Sequence, residues 1–177
     1  MTAQTASPAR AAATDLVATR ATTRPMVTTH RVTYSDQLKV FIGPDETVAN
    51  FLRPLCRLDG YHRYSVNMTR LPSPIPATEI TATISSTHGD SAVQCTGSAD
   101  ALVIEIWTAV DGIPQHFIVG LPGIRTGEPT VCIPDGADFL RVHADEVFTA
   151  EDAAEVFATY FRTGDIPPGF QLRETPA

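Results

Sequence analysis

The stretch that decides the fold is "TAEDAAEVFATYFRTGDIPP", residues 149–168. Thr149 is a good N-cap, and Asp152 stands three residues on, where the acid of a capping box belongs. Glu151, Asp152 and Glu155 put negative charge in the first turns, at the positive end of the helix dipole. Ala153, Val156, Phe157, Tyr160 and Phe161 recur at i, i+3, i+4, i+7 and i+8, so they make one apolar face. Gly164 follows the last turn as a C′ glycine, and Pro167-Pro168 prevents continuation. The spacing predicts a helix over 149–163. Three aromatic rings on one face need a broad apolar partner surface, which strand-like runs upstream can supply.

Working back from the helix, 139–143 and 130–133 read as short strands around an Asp135-Gly136 turn. Residues 113–121 and 101–110 are longer strands, and Asp111-Gly112 between them is a type I′ hairpin signal. In 101–110, Leu102, Ile104 and Ile106 share one face, while Val103, Glu105 and Trp107 share the other. Residues 92–96 form a short strand and 79–85 alternate like one, with His88-Gly89-Asp90 as a turn between them. Pro72, Pro74 and Pro76 read as an extended linker over 72–77. In the first half, strands are expected over 26–34, 38–42 and 61–71, with Tyr64, Val66 and Met68 facing the core. A helix capped by Asp45 and running toward Leu58 meets Pro54, where it must kink or end near Arg53. A final extended piece covers 170–173. Hairpins join the later strands and no helix connects them. The pattern is therefore α+β: a largely antiparallel sheet of about six to eight strands, two helices, and the C-terminal helix packed on the sheet.

A chain of 177 residues is expected to make one domain over 26–177, because residues 26–71 alone offer too small a core. Residues 1–25, rich in Ala and Thr, read as a disordered tail. No compact apolar h-region and no bilayer-length apolar run occurs, so a cytoplasmic protein without a membrane partner is expected. Net charge is −7, and from Asp100 onward 13 acids face four arginines, a net of −9. That surplus argues against nucleic acid and suits a basic protein partner. Twelve arginines against a single lysine, Lys39, with abundant Ala, Thr and Pro, point to a GC-rich genome such as an actinobacterial one. Cys56, Cys95 and Cys132 are widely spaced, which predicts reduced, mostly buried thiols rather than disulfides.

No phosphate loop, nucleophile elbow or zinc-protease signature is present, and no cofactor is expected. The five histidines lack metal-ligand spacing; His116 with Cys95 and Cys132 could meet only through the fold. Glu105 sits in the most apolar strand, either as a raised-pKa base or as a structural acceptor for a cross-strand neighbour such as His116. Trp107 beside it becomes a partner hot spot if its face is open, or core if the helix covers it. Arg125, in a Gly/Pro-bounded loop, is expected to be solvated.

The tract "VFTAEDAAEVFATYFRTGDIPPGF" (147–170) resembles the closing segment of small actinobacterial immunity proteins of polymorphic toxin systems, the first-numbered immunity family. The matching residues are Phe157, Phe161, Thr163, Gly164 and Pro167, with Phe170 where that family commonly has tryptophan. The acidic, strand-rich segment upstream is similar as well. The resemblance implies a non-enzymatic protein that binds and blocks a toxin, and it supplies no binding residues. Three readings follow. The first is an acidic inhibitor of a basic toxin domain, with Glu105, Trp107, Asp111, Asp135 and Asp138 as the contact set. The second is a small-molecule-binding protein or small enzyme with Glu105, His116 and His143 in a pocket. The third is a secretion accessory or chaperone protein.

Overall fold

The structure, a computed structural model, describes residues 26–81 and 91–175. Seven antiparallel strands form one sheet in the order β2-β1-β3-β4-β5-β6-β9. They are β1 (Val27–Tyr34), β2 (Leu38–Ile42), β3 (Ser65–Pro76), β4 (Ser91–Ser98), β5 (Ala101–Val110), β6 (Ile113–Gly120) and β9 (Gln171–Glu174). A separate hairpin pairs β7 (Val131–Asp135) with β8 (Asp138–Val142). Among the described residues there are two α-helices: α1 (Val48–Leu52) and α2 (Ala150–Thr163). The chain is α+β.

Helix α2 carries the expected capping box. Thr149 Oγ1 accepts from the Asp152 amide at 3.3 Å, and Asp152 Oδ2 accepts from the Thr149 amide at 2.9 Å. Gly164 closes the helix in the left-handed region, φ 84°. Leu102 and Phe148 exchange backbone hydrogen bonds of 2.9 and 2.8 Å, so the segment entering α2 is tied directly to β5. That tie lays the apolar face of α2 on the sheet. Phe157 and Tyr160 are fully buried against Met68, Val93, Leu102 and Ile104. Phe51 from α1 meets Phe161 edge-on, with ring centroids 5.1 Å apart.

Several expectations need correction. The first helix is capped at Thr47, not Asp45; it spans 48–52 and ends at Arg53, one of the two expected outcomes. Pro54 then starts a 3₁₀ turn, Arg53–Arg57, because an interior proline cannot donate to the α ladder. The strand expected from Tyr61 starts at Ser65. Asp59 Oδ1 accepts from the amides of Tyr61, His62 and Arg63 at 2.8–3.0 Å and holds them in a turn. Tyr64 therefore faces outward, its hydroxyl donating to Asp36. The prolines read as a linker over 72–77 are the end of β3, paired with β1 through Ile75 and Pro76. Ala77 donates to Met26 O at 2.9 Å, so by alternation the missing amides of Pro74 and Pro76 face away from β1, on the side β4 does not pair beyond Arg70. Of the run 79–85, Glu79 ends a 3₁₀ turn, and 82–85 lie outside the described residues with His88-Gly89-Asp90 and 1–25. Two of the three thiols, Cys56 and Cys132, are exposed, and only Cys95 is buried. At Asp111-Gly112 both φ angles are positive (53° and 77°), as a type I′ hairpin requires.

Candidate functional site

Helices α1 and α2 lie on one face of the sheet. On the other face, β7–β8 packs over Val103 and Ile118 through Ile133 and Val142. The rest of that face is an open groove of about 850 Å³. Strand alternation sends Asn67, Gln94, Glu105, Trp107 and His116 to this side, because their neighbours Met68, Val93, Ile104 and Ile106 belong to the helix side.

The groove floor is a hydrogen-bonded ladder across strands. Arg31 donates to Thr69 (3.3 Å), Thr69 to Asn67 (2.9 Å), Asn67 to Gln94 (3.2 Å) and Gln94 to Thr96 (3.0 Å). One strand further, His116 Nε2 meets Glu105 Oε1 at 2.9 Å, and Thr175 Oγ1 meets His116 Nδ1 at 2.6 Å. Trp107 lies flat on His116, with centroids 4.4 Å apart and planes within 5°. Trp107 is half-buried, and among the described residues no helix covers it.

Burial, with the charge of Asp135 second, pushes the Glu105 carboxyl up to about 7 from 4.5. Burial lowers His116. Both directions favour a neutral pair. For an acid whose folded pKa is raised, the folded state holds the proton more tightly. The stability this provides is full below pH 4.5 and is lost as pH rises through about 7. A shift of that size corresponds to about 3 kcal/mol. Glu105→Gln should therefore gain stability over the parent between pH 5 and pH 8. Urea midpoints at the two pH values test this, and an unchanged difference would count against it.

The residues singled out from sequence are thus divided. Glu105, Trp107 and His116 come together. Asp135 stands near Glu105 and is itself raised by burial, Asp138 and Asp36. Asp36 lines the groove, so Asp36, Asp135 and Asp138 gather along one end of it. Asp111 is exposed on the β5–β6 turn. His143 does not line the groove; it caps the 3₁₀ turn Ala144–Glu146. Cys95 lies on the helix side and His116 on the groove side, so they do not meet at a metal site. Among the described residues, no three His, Cys, Asp or Glu side chains form a metal-holding group.

Sequence reasoning missed a second polar centre. Glu146 is fully buried and receives Arg173 Nε (2.7 Å), Arg173 Nη2 (2.8 Å) and the His143 amide (2.9 Å). Arg125, expected to be solvated, bonds Asp145 at 2.7 Å and approaches Glu146 at 3.6 Å. No local spacing links residues 125, 146 and 173. Among the described residues, no helix is long and apolar enough to cross a membrane. No protein-family model matches the chain, and no curated protein matches it either.

Proposed function

We propose that this chain is an acidic binding protein of the immunity type, which docks a basic toxin domain on its open sheet face and occludes that domain's active site. The observation that carries this reading is the gathering of Asp36, Asp135 and Asp138, from separate elements, beside a groove walled by the chain's single tryptophan. Acids at the rim steer a basic partner, and a half-buried aromatic anchors it once docked. Arg31 and Lys39 inside the groove give the partner's contact surface a fixed charge order. The net −9 of residues 100–177 and the resemblance at 147–170 support the same reading.

The test is calorimetry against the catalytic domains of toxins encoded beside its gene, at low and high salt. Trp107→Ala should weaken binding by about 2 kcal/mol or more, roughly thirtyfold. Asp135→Asn with Asp138→Asn should slow association and flatten its salt dependence. Absence of binding to every such domain would overturn the proposal.

A second reading, a small-molecule site, is favoured by the meeting of Glu105 and His116 beside a groove of ligand size. Ligand-dependent shifts in melting temperature, absent in His116→Ala, distinguish it.

A further inference from the structure

A second pocket, of about 410 Å³, lies on the helix side between the end of α2 and β3. It differs chemically from the groove. Its polar side chains are Thr29, His30, Arg70 and Arg162, and its walls are Phe161, Leu71 and prolines. Two guanidiniums share one pocket in a chain of net charge −7. Among the described residues, neither Arg70 nor Arg162 is in an ion pair. Arg70 makes one long bond, 3.4 Å, to the Thr163 carbonyl at the end of α2.

His30 adds a separate observation. Its residue exposure is 5%, and Nε2 is buried with no hydrogen-bond partner. Thr29 Oγ1 lies 2.9 Å from Nδ1. With the Thr29 hydroxyl donating to Nδ1, Nε2 carries the proton and is a donor without an acceptor. A buried donor left unmet costs about 1–3 kcal/mol. Phe161 packs on the imidazole at 4.9 Å between centroids, so the ring is held in place.

We propose that this pocket binds a small organic carboxylate, whose oxyanion takes bonds from Arg70 and Arg162 while its apolar body lies against Phe161, the His30 ring and the prolines. Two guanidinium forks match a carboxylate, and the apolar wall selects against a fully hydrated inorganic anion. In the free protein, burial and then the charge of Arg70 lower His30 to about 4. A bound anion opposes that second effect, so His30 should titrate higher in the complex.

The experiment is a titration of the full chain with benzoate, followed by the His30 ring signal in NMR, with His30→Phe used for assignment. A saturable shift of that signal, with His30 titrating at higher pH when benzoate is bound, is the expected result. Arg162→Gln should weaken it about tenfold, the loss of one charge-assisted contact. Arg162 is exposed in the last turn of α2, so its removal should leave the melting temperature nearly unchanged. Arg70→Gln gives a second variant with the same expected weakening. No saturable shift, or binding in the Arg162→Gln and Arg70→Gln variants as tight as in the parent, would overturn the proposal. Inorganic phosphate is the control: binding as tight as that of benzoate would remove the case for an organic ligand.

Discussion

Glu146→Ala is expected to lower the unfolding free energy by about 3–5 kcal/mol, the range for removing one partner of a buried ion pair. Glu146 has no exposed surface, and its two oxygens take three bonds of 2.7–2.9 Å from Arg173 and the His143 amide. The arginine joins β9 to the turn before α2, so one carboxylate ties the last strand to the helix approach. Removing it leaves the guanidiniums of Arg173 and Arg125 partly buried and without this acceptor. Their side chains retain 26% and 16% exposure, which places the loss nearer the lower end of the range. Burial alone would raise the Glu146 pKa. Hydrogen bonds from Arg173 and His143, with the charges of both arginines, outweigh it and hold the carboxyl below 4.5. A depressed pKa contributes stability that is present above pH 4.5 and lost as pH falls through the folded value. The parent should weaken on acidification, and the variant should show a flatter acid limb. Urea unfolding at pH 7 and at pH 4 measures both. A loss below about 1 kcal/mol at pH 7 would mean the charges are solvated well enough to act as a surface pair.

Phe157→Ala should cost a similar amount, about 3–5 kcal/mol, through lost transfer energy and an unfilled cavity. Phe157 is fully buried in the cluster between α2 and the sheet. Helix α2 starts from the Phe148 tie to Leu102 and closes at Gly164, so both ends limit how far it can settle into the gap. Since small domains hold only about 5–15 kcal/mol in total, the variant should melt far below the parent. Phe157→Leu keeps most of the volume and should recover most of the loss. Equal melting temperatures for the Ala variant and the parent would show that the helix contributes little to the folded state.

Much of this fold was legible because its signals are local. The capping box at Thr149 and Asp152, the apolar stripe of α2 and the Asp111-Gly112 turn each lie within a few residues, and each appears where its spacing places it. The alternation in β5 also separated the helix face from the Glu105–Trp107 face. The proline run misled because polyproline and strand backbones both lie in the broad extended region that proline's fixed φ allows; the pairing of Ile75 with Thr28 tells them apart.

By itself the sequence determined the α+β class and the orientation of the C-terminal helix, and it offered the contact of Glu105 with His116 as one of two readings. The first two rest on periodicity, and the third on two neighbouring strands joined by a two-residue turn. Tertiary structure alone decided that Trp107 stays uncovered by the C-terminal helix, that Glu146 is buried between Arg125 and Arg173, and that His30, Arg70 and Arg162 line one pocket. Those residues are brought together by sheet order and helix packing, which depend on contacts between distant segments and leave no fixed interval in the chain.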